Sequence, residues 1–175
     1  MAYYGVDLHN SITLGRIFSI HYFEYMSDFS FEGESHNFWE FVCVDTGEVD
    51  VTRDKTHTIL KKGDLVFHKP NEFHNVKATG NIAPNLVVIS FECHDDAMYF
   101  FNDRILRIDE TERNLLADII IEARRCFDCR LDDTYLQNMT LKDSNTFGSQ
   151  QMIRLYLEHF LIHLIRRYSN PVVLQ

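Results

Sequence analysis

The sequence predicts a mainly β fold, a barrel or sandwich of short strands, followed by a pair of C-terminal helices. Between Gly15 and Ile108, short segments of alternating apolar and polar residues recur, separated by turn residues. From Asp109 to Tyr168 the apolar period lengthens to that of helices. With 45% hydrophobic residues, 7 Gly and only 3 Pro in 175 residues, the chain can bury one substantial core. These observations divide it into an N-terminal arm over 1–14, a β-barrel over 15–108 and a helical hairpin over 109–175.

The strands follow in order. Ser19, His21, Phe23 and Tyr25 alternate with Phe18, Ile20, Tyr22 and Glu24 in a first strand of mixed faces. Next come His36 to Val44, a turn at Asp45-Thr46-Gly47, Glu48 to Arg53, a tight turn at Asp54-Lys55, and Thr56 to Lys61. A Gly63-Asp64 turn leads into Leu65 to His68, His74 to Ala78 and Leu86 to Glu92. Met98-Tyr99-Phe100-Phe101 reads as a short helix closing the barrel end. Asp109 can cap the first long helix, with Glu112 three residues on returning the bond, and the helix then runs to about Phe127. Leu115, Leu116, Ile119, Ile120, Ala123 and Phe127 form its apolar face.

A polar loop containing Asp143-Ser144-Asn145 leads to a second helix over Gly148 to Tyr168. Its stripe of Ile153, Leu157, Phe160, Leu161, Leu164, Ile165 and Tyr168 is joined by Met152, Leu155 and Ile162 on a further face. A helix apolar on more than one side needs more than one partner, so a homodimer through these helices is expected.

Composition excludes several functions. No apolar run approaches the ~20 residues of a membrane helix and no signal segment opens the chain, so a cytoplasmic protein with no membrane partner is expected. Four scattered cysteines are expected to be free thiols, and Cys126-x2-Cys129 lacks the second pair that a zinc site needs. Asp and Glu outnumber Lys and Arg by 26 to 17, a net charge of −9, so the chain alone should repel nucleic acid. Arg166-Arg167 at a helix end is what the helix dipole favours.

Chemistry concentrates in the strand from His36. A two-residue period puts His36, Phe38, Glu40, Val42 and Val44 on one face, and Trp39, Phe41 and Cys43 on the other. If the first face lines the barrel, His36 and Glu40 need each other, a metal, a water or a ligand to offset desolvation. Trp39 and Phe41 would then pack on the helices. His9, His21, His57, His68 and His94 lack common spacing, and His159 with His163 forms an i,i+4 polar strip beside the dimer seam.

Glu34-x-His36-x3-Glu40-x6-Gly47 resembles the first cupin motif. Gly63-x6-Pro70-x3-His74 resembles the second, its proline displaced by one residue. Within the cupins, the run from His36 to Glu48 joined to Gly63 to His74 is similar to the N-terminal sensor domain of AraC-type bacterial transcriptional regulators. This resemblance implies a cupin barrel, the double-stranded β-helix or jelly roll, followed by an α-helical hairpin. It implies a small polar effector, often a sugar, bound in the barrel by His36, Phe38, Glu40 and His74. It also implies a homodimer through the helices, and DNA contact only through a C-terminal helix-turn-helix domain that does not follow Tyr168 here.

No catalytic residue and no certain cofactor is expected on this reading. In metal-dependent cupins the matching positions hold a divalent ion, so a divalent transition metal on His36, Glu40, His74 and Glu34 is also implied. Glu34 stands where the first histidine would be, and a carboxylate can still ligate zinc, iron or manganese. The alternative is a small metal-dependent cupin enzyme, a dioxygenase or isomerase, using the same residues.

Overall fold

The structure, a computed structural model, describes residues 1–144 and 146–169. Asn145 of the expected polar loop and the tail over 170–175 lie outside the described residues. Nine strands are described: β1 (Ile17–Glu24), β2 (Ser30–Glu34), β3 (Trp39–Thr46), β4 (Glu48–Arg53), β5 (Thr56–Lys61), β6 (Asp64–His68), β7 (His74–Ala78), β8 (Asn85–Phe91) and β9 (Ile105–Arg107). A short 3-10 helix, Asp96–Phe101, precedes β9, and helices α1 (Glu110–Cys126) and α2 (Ser149–Ser169) follow. The strands form two antiparallel sheets, ordered β1-β8-β3-β6-β9 and β2-β7-β4-β5. This is the mainly β jelly roll with C-terminal helices that the sequence predicts.

Expected and observed bounds coincide for β4, β5 and β7. The strand expected from His36 begins at Trp39 and runs on to Thr46, because Asn37 and Phe38 form a bend ahead of the ladder. Strands β2 and β9 were not expected: both are sheet edges, one interrupted by Gly33 and the other three residues long.

Alternation along the strands builds two cores. Phe23, Val42, Val44, Val49, Val51, Leu60, Val66, Val76, Leu86 and Val88 meet between the sheets. The opposite side chains of the five-stranded sheet, among them Ile20, Trp39, Phe41, Cys43, Phe67, Ile89 and Phe91, meet the helices. The Phe41 ring lies 5.3 Å from those of both Phe67 and Phe160, tying β3 to β6 and α2. Burying each such ring stabilises the fold by about 1.5–3 kcal/mol.

Helix α1 opens with the expected capping box. Asp109 Oδ1 accepts from the Glu112 backbone N–H at 2.9 Å, and Glu112 Oε2 accepts from that of Asp109 at 2.7 Å. The fully buried Glu112 carboxylate also receives His163 Nδ1 at 2.8 Å and Arg167 Nε at 3.0 Å, locking α1 to α2. Arg167 is therefore a cross-helix partner as well as a residue of the last turn. On α2, Ile162 and Ile165 pack partly against the chain's own core, and Leu155 stands half exposed. Residues 1–11 are exposed, whereas Ile12 and Leu14 at the end of the expected arm pack into the helix-side core. The four cysteines are free, as expected, and no described helix is long and apolar enough to cross a membrane.

Candidate ligand and metal site at one end of the barrel

Strand register explains why polar groups gather inside the barrel at one end. Hydrogen-bonded neighbours across a sheet share a face. On the five-stranded sheet, Ser19 pairs with Ser90, Ser90 with Glu40, and Glu40 with His68, making one polar rung. On the facing sheet, Glu34 pairs with His74, His74 with Arg53, and Arg53 with Thr56. The next rung inward changes character on both sheets: His21, Val88, Val42 and Val66 on one, Phe31, Val76, Val51 and Thr58 on the other.

Glu34 reaches the site because β2 is irregular between Phe31 and Glu34. Gly33 makes the irregularity, at φ +116°. A Cβ there would sit 2.8 Å from the His74 carbonyl oxygen and strike the Phe73 ring, so only glycine permits this approach.

Four expected residues converge. One ligand atom from each of Glu34, His36, Glu40 and His74 lies within 4.8 Å of the others. His74 Nε2 is 3.3 Å from Glu40 Oε1, and His36 Nε2 is 3.6 Å from Glu40 Oε2, ion-pair contacts in which neither nitrogen makes a hydrogen bond. Each histidine is oriented from behind: His36 Nδ1 contacts the Phe38 carbonyl and His74 Nδ1 the Glu72 carbonyl, both at 3.0 Å. A carbonyl can only accept, so both Nδ1 atoms carry a proton and both Nε2 atoms face the cluster, each able to bond Glu40 when protonated or to lend its lone pair to an ion when the ring is neutral. Phe38 stacks between His36 and Phe18, at 3.8 and 3.9 Å, and fixes the His36 ring from one side.

Two nitrogens and two carboxylates of this kind suit zinc, iron or manganese. The buried Nε2 atoms of His36 and His74, without hydrogen-bond partners, are the orphaned groups such an ion would satisfy, so the residues fit a metal.

Burial alone would raise the Glu40 carboxyl, but His36 and His74 outweigh it and hold the carboxyl well below the usual range. Burial pulls His74 down, yet Glu40, the Glu72 carbonyl and Glu34 push it above the ordinary histidine value. His68 and His21 are lowered, in both cases first by burial.

Those last two residues correct the expectation that they fall on unrelated surfaces and strand faces. His68 is fully buried, stacks on His74 at 4.2 Å and lies 3.5 Å from the buried Glu72. His21 lines the same cavity as His36 and Glu40. Parity could have found both: His68 shares a face with Val66, and His21 with Phe23, once those strands are paired with β3 and β8. The other histidines stay outside, and no described cysteine belongs to a metal-binding group.

A cavity of about 320 Å³ opens on the cluster. Phe18, Ser19, His21, Phe31, Glu34, His36, Phe38, Glu40 and Ser90 line it from the barrel. Its remaining wall is Thr134 to Gln137, from the segment joining α1 to α2. That segment is fastened to the barrel by the Tyr22 N–H, which donates to the Leu131 carbonyl at 3.0 Å.

Residues 21–90 match the family model for the cupin domain. No curated protein sequence matches the chain at a significant level. Among solved structures, a conserved protein of unknown function from Streptococcus pyogenes is 14% identical, with TM-score 0.41, covering 45% of this chain and 67% of that one. The cupin domain of Cnp3 from Schizosaccharomyces pombe is 17% identical, with TM-score 0.41, covering 46% and 58%. A predicted oxalate decarboxylase from Thermotoga maritima is 21% identical, with TM-score 0.36, covering 37% and 57%. The chain thus spans a little over half the length of the latter two. Residues 21–90, the stretch that matches the cupin-domain model, thus lie in two facing antiparallel sheets with a His/Glu cluster carried by both, a cupin jelly-roll fold with two helices packed on the outer face of one sheet.

Proposed function

We propose that this chain is a ligand-sensing cupin domain of the AraC type, binding a small polar effector at the polar end of its barrel and passing occupancy to α1 and α2. One observation carries the reading: Thr134 to Gln137, on the connection between the helices, line the same cavity as Glu34, His36 and Glu40. A ligand there touches both the barrel and the helical connection, and only such a difference in contacts shifts a conformational population. Glu34, His36, Glu40 and His74 would hold a divalent transition metal, which when bound supplies a Lewis-acidic anchor for a ligand oxygen. The hydroxyls of Ser19 and Ser90 offer further polar contacts, and Phe18, Phe31 and Phe38 an apolar wall.

In this reading the helices also mediate a homodimer, and DNA is read only by a separate domain, in keeping with a net charge of −9. Leu155 is the residue to test on α2, because Ile162 already packs against the chain's own core. Leu155→Glu should leave a folded monomer where the wild type is a dimer by light scattering, and a monomeric wild type would remove dimerisation from the account.

The competing reading, a metal-dependent dioxygenase or isomerase, has one observation in its favour: the two unpartnered Nε2 atoms and two carboxylates converge beside an open cavity. Hydrogen exchange on metal-loaded protein, with and without a panel of neutral sugars and organic acids, separates the two. A sensor should gain protection over 128–144 on binding one of them and release no product. Turnover with unchanged exchange there would replace the sensor by the enzyme.

A further inference from the structure

The polar rung of the four-stranded sheet contains a cation that the metal-type cluster does not use. Arg53 ends β4, on the inward face established by Val49 and Val51, which both belong to the core between the sheets. It is hydrogen-bond register partner to His74 on one side and Thr56 on the other. Only 9% of Arg53 is exposed, and its Nε and Nη1 are buried with no hydrogen-bond partner. Among the described residues it forms no ion pair, although Glu34, Glu40 and Glu72 all lie at the same end of the barrel. No other lysine or arginine occupies the inward faces of β1 to β8.

A guanidinium cannot shed its charge at any ordinary pH, so leaving it buried and unpaired is costly. A charge of this kind is normally retained because something pairs with it. The planar fork of Nε–H and Nη–H donors matches a carboxylate, which it can grip through two parallel hydrogen bonds. A phosphate dianion would call for more than one cation, and the inward faces offer one. A neutral sugar would leave Arg53 as it stands.

We propose that Arg53 anchors the carboxylate of the ligand, so that the barrel selects a small organic acid over a neutral sugar. The inference rests on the ligand-binding reading above and narrows its ligand class. Neighbouring strands lie about 4.8 Å apart, which puts Arg53 one strand from His74. Arg53 does not itself line the cavity beside Glu34, His36 and Glu40, so holding the acid requires its side chain to reach toward that cavity past its register partner His74. Thr56, at the exposed end of the rung, offers a hydroxyl at the rim.

The test uses the full chain, thermal unfolding as readout, and five probes: acetate, oxalate, malate and galacturonate as acids, and galactose as the neutral control. At least one acid should raise the melting temperature of the wild type, and galactose should raise it less. In Arg53→Met the concentration of that acid needed for half its effect should rise about ten- to a hundredfold, the usual worth of a charge-assisted hydrogen bond. Arg53→Lys should recover part of the loss. Without ligand, Arg53→Met should melt no lower than the wild type, since the substitution removes an unpaired buried charge and keeps the aliphatic stem. Metal content should be equal in all three proteins, which separates this inference from the fate of the metal cluster. Equal acid stabilisation of the wild type and Arg53→Met overturns the proposal. So does stabilisation by galactose alone, or a wild type that no acid stabilises. If Arg53→Met does not fold, Arg53 is a structural residue unless Arg53→Lys folds and binds the acid more weakly.

Discussion

The two faces of β3 divide the work of the molecule. Outward, Trp39, Phe41 and Cys43 enter the core beneath the helices, and the Phe41 ring sits among those of Phe67, Phe91 and Phe160. Inward, Val42 and Val44 enter the core between the sheets, but Glu40 interrupts the apolar series and meets two histidines. The outer face gains from every buried carbon and needs no other explanation. The inner face gives up much of that gain at one rung, replacing apolar contact with buried ionisable groups. One strand thus supplies stability on one side and a candidate binding site on the other, separated by the two-residue period of its backbone.

The sharpest way to break this division is to truncate each face in turn. Phe41→Ala should cost about 3–5 kcal/mol in chemical denaturation, because the residue is fully buried and its cavity cannot collapse against three rings. Glu40→Gln, one residue away, should instead weaken divalent-metal affinity by at least about tenfold to a hundredfold while the metal-free protein stays folded. If Glu40→Gln unfolds the chain as Phe41→Ala does, the polar rung is structural and the contrast between the faces disappears. A smaller effect comes from the helical side. Asp109→Ala removes the N-cap of α1 and should cost about 0.5–2 kcal/mol in thermal stability without changing metal affinity.

The smallest effect is on pH dependence. Burial lowers His68, so its protonation favours the unfolded chain. A group whose charged form is disfavoured on folding lets stability fall as the pH drops below its unfolded value, about 6.5 for histidine. His74 has the opposite sign: its raised value adds stability below about 6.5 that is lost as the pH climbs through its folded value. The two partly cancel in the wild type. His68→Gln should therefore make the metal-free protein lose less stability between pH 7 and 5, and an unchanged slope would mean that His68 does not titrate on unfolding.

Much of the fold was legible because alternation and turn residues are local signals. Strands β4, β5 and β7, the capping box at Asp109 and the apolar stripe of α2 all follow from residues near one another in sequence. Four members of the site were legible through motif spacing, since Glu34, His36, Glu40 and His74 sit at fixed offsets from turn glycines and a proline. His68 and Arg53 were not, because each comes beside a site residue only by register with another strand: His68 beside Glu40, Arg53 beside His74. A single strand shows which residues share a face, and only the pairing shows what that face looks at. The wall at Thr134 to Gln137 was illegible for a related reason, lying in a polar connection with no period to read.

The most direct test of the inner face as a metal-centred binding site is calorimetric titration of chelator-stripped protein with zinc and manganese. The account predicts one site per chain in the wild type, weakened by at least about tenfold in Glu40→Gln and His74→Ala and retained in Phe41→Leu. Absence of binding in the wild type, or binding that those two substitutions leave unchanged, would contradict it.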